Sequence, residues 1–294
     1  FAPGNFRRKI GICDALRGTG FNLLIISVEN RRPPEQLRLT LPATVQHGDI
    51  DGLILFQTIG TVGQTIITQL REEPGFAQRP IVSVLYPYDM IPAVLATEDA
   101  GAEDAAEHLL ALGHRHLVHL VPMHAVSLAE ARLHGVATAL RRHGLDPALH
   151  LSLLYVNIPW MDAGTVMDPP EPVYTLPSQD SETSLAAFLD AHPEVTAFLG
   201  WNDACAIHLC RQLARAGIAV PERISVIGHD DTHAFPDDMG RNRLTSIRLP
   251  LRAIGERAGA LLMDTLTGEA HDGVESFSFT TTLMVRQTTG PAPR

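Results

Sequence analysis

The chain has 294 residues, 45% of them hydrophobic and 19% charged, so it can bury a large core and is too long for one ordinary compact domain. We therefore expect a globular protein with two lobes, and no run of about 18 apolar residues is present to span a bilayer. The formal net charge of -10 argues against a chain that wraps nucleic acid by itself, because phosphate binding depends on clustered Lys and Arg.

The cysteines and the first residues bear on the compartment. Cys13, Cys205 and Cys210 have neither the spacing of a disulfide framework nor that of a zinc site, and they fit a reducing environment. The first residues show no basic segment followed by a long apolar run and a cleavage site, so a cytoplasmic protein is expected. The one dense basic run, Arg7-Arg8-Lys9, is predicted to lie on a solvated helix face.

Short β-rich runs alternate along the chain with stretches of helical periodicity, which is typical of βα units around parallel sheets. The predicted strands cover residues 23–28, 52–56, 80–85, 117–121, 151–156, 196–201, 224–228 and a late stretch at 276–285. Apolar residues spaced three and four apart predict helices over 100–112, 128–143, 203–216 and 251–266, with Asp203 capping the third. The Pro-rich residues 167–177 are predicted to form a loop.

Four polar residues are candidates for binding a ligand: Asp99, Arg132, Asn202 and Asp230. Asp99, Asn202 and Asp230 are interpreted as directly following strands and Arg132 as lying early in a helix, and in open α/β sheets ligands bind outside the carboxyl ends of the strands. Three of these residues also have a structural explanation. Asp99 and Asn202 are suited to cap or brace a helix, and Arg132 to form a surface salt bridge. Asp230 cannot be separated from Asp231 by sequence alone.

An enzyme is less favoured by the motifs. The chain contains no G-x-x-x-x-G-K-[ST], no G-x-S-x-G and no H-E-x-x-H, so the commonest nucleotide and hydrolase signals are missing. The run His229-Asp-Asp-Thr-His233 is the one cluster with residue types that could hold a metal ion. The other histidines, including His114, His116 and His119, receive no functional role.

From Thr97 onward the chain resembles the effector domain of the LacI/GalR family of transcriptional regulators. The matching stretches follow the family order: Glu98-Asp99, HLLALGHR at 108–115, RLHG at 132–135, TAFLGWND at 196–203, GIAVPERISVIGHDD at 217–231, LTSIRLPLRAIGERA at 244–258 and LMVRQTT at 283–289. Each stretch is modest alone, but their order makes the resemblance strong.

The resemblance implies an α/β fold of the type I periplasmic-binding-protein kind, with two doubly wound parallel-sheet lobes joined by a three-crossing hinge. The lobes are expected at residues 1–113 with 249–277 and at 114–248 with 278–294. Effector contacts are implied at Asp99, Arg132, Asn202 and Asp230, holding a small polar ligand such as a sugar between the lobes. No cofactor, no metal and no catalysis are implied.

The resemblance also implies partners. We expect a homodimer that binds operator DNA through an N-terminal helix-turn-helix, which the 294 residues do not contain. The first strand of the family sheet is likewise missing before the helix matched at residues 6–20, so a longer native chain is expected. A transport-linked sugar-binding protein of the same fold and, less favoured, a metal-dependent enzyme stay open as alternatives.

Overall fold

A computed structural model describes residues 3–26, 43–56, 60–122, 126–157, 173–176, 181–268 and 275–293. The helices are α1 (Pro3–Ala15), α2 (Ala43–Gln46), α3 (Gly60–Glu72), α4 (Glu98–Ala111), α5 (Val126–Arg142), α6 (Pro147–His150), α7 (Leu185–Ala191), α8 (Asp203–Arg215) and α9 (Leu251–Thr267). The strands are β1 (Leu53–Phe56), β2 (Ile81–Val84), β3 (Ala93–Ala96), β4 (Leu117–Pro122), β5 (Leu151–Asn157), β6 (Val173–Leu176), β7 (Ser181–Thr183), β8 (Ala197–Leu199), β9 (Ser225–Asp230), β10 (Thr245–Arg248), β11 (Ser276–Phe279) and β12 (Thr282–Met284). None of the helices in these ranges has the length and apolar character needed to cross a membrane.

The chain divides into two units. The larger unit contains Phe1–Pro3, Thr97–Leu249 and Thr280–Arg294, and the smaller unit contains Gly4–Ala96 and Pro250–Phe279. Beyond the first three residues, the chain therefore changes unit after Ala96, after Leu249 and after Phe279. The sequence-based boundary at residue 113 differs from the first of these points by the length of α4. This helix lies in the larger unit because it packs along α5.

The smaller unit is built on a four-stranded parallel sheet in the order β1-β2-β3-β11. The predicted strand at 23–28 is not formed over its described residues, since 21–26 have no regular structure and 27–28 lie outside the described ranges. Leu24 and Ile25 are exposed there. Apolar, β-prone residues form a strand only where a neighbouring strand can hydrogen-bond to their backbone groups.

Helices α1 and α9 pack closely within the smaller unit. A Cβ atom on Gly11 would lie 2.0 Å from the carbonyl oxygen of Arg252, so the glycine allows the backbones to approach. Arg8 was expected on a solvated face but is buried, with its guanidinium 5.8 Å from the ring centroid of Phe56. The basic run is therefore only partly a solvent-facing feature.

The larger unit has an eight-stranded sheet in the order β12-β10-β9-β8-β4-β5-β6-β7. The five central strands, β10 to β5, are parallel, whereas β12, β6 and β7 are antiparallel to their neighbours. Helices cover the central strands, and the six residues of β4 are all buried, as expected for parallel strands with both faces covered. This arrangement places the carboxyl ends of β4, β8, β9 and β10 at one edge.

Two sequence predictions differ from the structure in this region. The late strand at 276–285 is two strands, because β11 joins the small sheet and β12 joins the large one. The predicted loop at 167–177 contains β6 over residues 173–176, while its remaining residues lie outside the described ranges. The proline-rich sequence around β6 predicted a loop, whereas β6 is a short strand that pairs antiparallel with β5.

Candidate functional site

The guanidinium of Arg132 is held in the larger unit by two neighbours. Its Nε donates to Glu98 Oε2 at 2.8 Å, and its Nη1 donates to the carbonyl oxygen of Trp201 at 2.7 Å. Its Cζ lies 4.4 Å from the centroid of the Trp201 ring, which is the geometry of a cation–π contact. Arg132 is only 9% exposed, so the surface salt bridge considered for it is instead a buried ion pair.

Glu98 holds this cluster together, and sequence analysis had not selected it as a site residue. His229 Nε2 lies 2.9 Å from Glu98 Oε2, so Arg132 and His229 both contact the same carboxylate oxygen. Burial alone would raise the pKa of Glu98, but the charges of Arg132 and His229 outweigh burial and hold the pKa well below its usual range. Glu98 is therefore ionised at neutral pH.

His119 lies on β4 close to the same cluster. Its Nδ1 is 3.1 Å from the carbonyl oxygen of Leu120, so Nδ1 carries the proton and donates. Burial lowers the pKa of His119 to about 3, and the nearby charge of Arg132 adds to that effect. The ring is neutral at physiological pH and leaves the Glu98–Arg132 pair as the charged centre.

Asp99 is placed differently from its neighbour Glu98. It is exposed in the first turn of α4, and no described residue bonds its side chain. Successive helical residues point about 100° apart, so only one of the two acidic residues can face Arg132. The structure brings Glu98 to Arg132 and leaves the Asp99 carboxylate in solvent.

The helix cap predicted for Asp203 is supplied instead by Asn202, for which capping was the structural alternative. Asn202, not Asp203, caps α8, with Oδ1 accepting from the backbone N–H of Cys205 at 2.9 Å. Asp203 is fully buried and accepts from Ser246 Oγ at 2.5 Å. Burial raises the pKa of Asp203 to about 6, partly opposed by its hydrogen bonds and reinforced by the charge of Asp230.

The structure separates Asp230 from Asp231. The Asp231 carboxylate is bound on both oxygens by Arg286, at 2.8 Å and 3.0 Å, and Arg248 Nε donates to it at 2.7 Å. Asp231 thus links three strand ends and has a structural role. Asp230 is half-buried, and no described residue bonds its side chain. Of the two, Asp230 is the one with oxygens available to a ligand.

The run from His229 to His233 does not assemble a metal site. His229 turns to Glu98, Asp231 is bound to arginines, and the ring of His233 lies beside Thr232, with Nδ1 3.1 Å from Oγ1. Within the described ranges no group of three or more His, Cys, Asp or Glu side chains has an arrangement that could hold a metal ion. Although these residues are adjacent in sequence, their side chains contact different partners and do not converge on one point.

A family model described as a periplasmic binding protein-like domain matches residues 106–289. The chain belongs to this family. It is 26% identical over 292 residues to the arabinose metabolism transcriptional repressor of Geobacillus stearothermophilus, with 95% of this chain and 71% of that protein covered. It is also 32% identical over 188 residues to the transcriptional regulator GntR of Pseudomonas aeruginosa, covering 64% of this chain and 48% of that protein.

Solved structures agree on the fold. A LacI family transcriptional regulator from Enterococcus faecium with bound ribose superposes with a TM-score of 0.71 at 21% identity, covering 98% of this chain and 95% of that chain. The regulator CelR in complex with cellobiose also gives 0.71, at 23% identity, covering 98% and 79%. The predicted α/β fold of the type I periplasmic-binding-protein kind and the resemblance to the LacI/GalR effector-binding domain are confirmed.

Proposed function

We propose that this chain is the effector-binding and dimerisation region of a LacI/GalR-type DNA-binding transcriptional regulator, and that it senses a sugar or a related polar metabolite. The observation that carries the proposal is the Arg132 guanidinium, fixed against Trp201 by an ionised Glu98 at the carboxyl edge of the large sheet. A charged fork held in one orientation is suited to bind the hydroxyl oxygens of a sugar.

The four candidate residues contribute different hydrogen-bonding groups. Arg132 keeps Nη2 as a donor, because its described bonds use Nε and Nη1. Asp230 and Asp99 provide carboxylate oxygens as acceptors. Asn202 uses Oδ1 as the helix cap, which leaves its amide N–H groups as donors. Donors and acceptors together match a ligand whose hydroxyl groups both accept and donate.

The relatives support a sugar as the ligand class. The Geobacillus stearothermophilus relative is named for arabinose metabolism, and two structural relatives contain ribose and cellobiose. They also support operator DNA as the partner, since a relative from Thermobifida fusca that is 25% identical over 286 residues is named an HTH-type transcriptional regulator. We infer that a helix-turn-helix on the N-terminal side contacts DNA, and that the protein is a cytoplasmic homodimer without catalytic activity or a cofactor.

Calorimetric titration with ribose, arabinose and cellobiose tests the ligand class. At least one of these sugars is expected to bind wild-type protein and to bind Asp230→Ala at least about tenfold more weakly. A chain that binds none of them, or that binds one equally well without Asp230, contradicts the site. Sedimentation at micromolar concentration tests whether the protein is a dimer. Operator binding by the full-length protein, measured with and without the sugar, tests the regulatory role.

A further inference from the structure

The segment from Asp230 to His233 begins with an unusual backbone. Asp230 has φ +88° and Asp231 has φ +51°, so two consecutive residues with side chains occupy the left-handed region. Aspartate tolerates this region better than most residues, but adjacent positions persist only where the surroundings hold them. The backbone conformation of Asp230 sets the direction of its Cα–Cβ bond, so the contacts that hold the segment also limit where the carboxylate of this candidate ligand acceptor can reach.

One set of contacts acts on Asp231. Its carboxylate is bound by Arg286 and Arg248, and its backbone N–H donates to Ser246 Oγ at 3.2 Å. These contacts fix the residue after Asp230. They leave the following two backbone N–H groups, those of Thr232 and His233, to be bound by another acceptor.

That acceptor is Asp203, from the first turn of α8. Its Oδ2 accepts from the backbone N–H of Thr232 at 2.5 Å and from that of His233 at 3.0 Å. Its Oδ1 accepts from Ser246 Oγ at 2.5 Å, and that same hydroxyl accepts from Asp231. Asp203 is 0% exposed, so both oxygens are committed to the protein. Asp203 can therefore hold the segment but cannot bind an effector itself.

We propose that Asp203 is a positioning residue for effector binding, which anchors the segment 230–233, keeps Asp230 and Asp231 in the left-handed region and thereby directs the Asp230 carboxylate toward the ligand. This inference rests on the proposed function, in which Asp230 contacts the effector. In this role Asp203 raises the affinity for the effector without contacting the effector itself.

Two substitutions at this position have opposite expectations. Asp203→Ala removes the acceptor of two part-buried backbone N–H groups, so the segment loses its anchor and sugar affinity falls at least about tenfold. Asp203→Asn keeps one oxygen for both N–H groups, while its amide donates to Ser246 Oγ after the hydroxyl turns. It is expected to restore affinity to within about threefold of wild type. Ser246→Ala gives a milder perturbation if Asp203→Ala does not fold.

A double-mutant cycle with Asp230→Ala separates positioning from general destabilisation. If Asp203 acts through Asp230, then Asp203→Ala or Ser246→Ala costs no further affinity once Asp230 is absent, although unfolding stability still falls. Asp237→Ala is the matched control, because its carboxylate also accepts two backbone N–H groups, from Met239 and Arg241. It is expected to leave affinity unchanged.

The titrations use ribose, arabinose and cellobiose, and amide hydrogen exchange of the unliganded protein is measured beside them. Asp203→Ala is expected to speed exchange in residues 230–233 more than in residues 225–229 of β9 or in α8. An equal affinity loss with and without Asp230 overturns the inference, as does exchange that rises uniformly. If Asp230→Ala leaves affinity unchanged, or if none of the sugars binds, the proposed function fails, and the exchange pattern alone then decides whether Asp203 holds the segment.

Discussion

Arg132 and Trp201 contact each other twice, once through the backbone and once through the ring. Nη1 of Arg132 donates to the Trp201 carbonyl oxygen at 2.7 Å, and its Cζ lies 4.4 Å from the ring centroid. The residue after Trp201 caps α8, so the same turn that starts this helix also fixes the guanidinium. The position of Arg132 therefore depends on the backbone after β8 as well as on Glu98.

Neutralising Glu98 is predicted to destabilise the unliganded protein. Glu98→Gln leaves the Arg132 guanidinium, only 9% exposed, without its ionised partner, and the expected loss is about 1–3 kcal/mol of unfolding free energy. Asp99→Asn is the control on the same helical turn. Because the Asp99 carboxylate is exposed, that change is expected to stay within about 0.5 kcal/mol. Urea denaturation of both variants measures the difference, and equal losses would contradict the assignment of Glu98 as the partner of Arg132.

The fold and the four candidate positions could be predicted from the sequence to different extents. Helical periodicity correctly predicted α4, α5, α8 and α9, because their apolar faces are buried. The strand patterns missed β3 and β10, each of four residues, and assigned a strand at 23–28 whose described residues pair with no neighbour. Strand formation depends on partners distant in sequence, which a local pattern does not contain.

The chemistry around the site was harder to predict. Glu98 stands beside Asp99 and His229 beside Asp230, and in both pairs the residue that joins the Arg132 cluster is the one that the sequence did not single out. Which of two adjacent residues faces inward depends on the rotation of a helix or the pleat of a strand. The Asp231–Arg286 pair joins residues 55 positions apart and leaves no local signal.

Arg132 and Asp230 are predicted to respond differently to truncation. Arg132→Ala removes a buried cation and leaves Glu98 without its main ionic partner, so unfolding free energy is expected to fall by about 3 kcal/mol along with sugar affinity. Asp230→Ala removes a carboxylate that no described residue bonds, so melting temperature is expected to change little while affinity falls. Melting curves beside titrations with ribose, arabinose and cellobiose make the comparison. An intact affinity in both variants excludes these residues from the site.

Close approach of α4 and α5 gives a prediction about packing. A Cβ atom on Gly135 would lie 2.0 Å from the backbone oxygen of Asp99, and a backbone atom cannot move aside as a flexible side chain can. Gly135→Ala is therefore expected to lower the unfolding free energy by about 2 kcal/mol or more. Gly144→Ala serves as the comparison, since φ is +72° there but nothing lies within 4 Å. Its expected loss is about 1 kcal/mol, and a reversed ranking in denaturant melts contradicts the helix contact.

The buried carboxyl of Asp203 is predicted to make stability depend on pH. Burial raises its pKa from the ordinary value of 3.8 to about 6, so between these values the folded protein holds a proton that the unfolded chain has lost. The buried charge therefore destabilises the folded protein fully above about pH 6, and this destabilisation decreases as pH falls toward 4. At about 1.4 kcal/mol per pKa unit, the relief amounts to roughly 3 kcal/mol.

Other groups titrate in neighbouring ranges, so the comparison must be made against Asp203→Asn. Burial lowers the pKa of His119 to about 3, so this residue destabilises the folded protein as pH falls below 6.5. Its effect on stability is opposite in sign to that of Asp203. Glu98, whose pKa is lowered, contributes stability that is lost only as pH falls below 4.5. Both remain in the variant and cancel in the difference. In urea melts, the unfolding free energy of wild type is expected to rise relative to that of Asp203→Asn as pH is lowered from 7 to 4.5. A difference that is constant over this range would show that Asp203 does not titrate there.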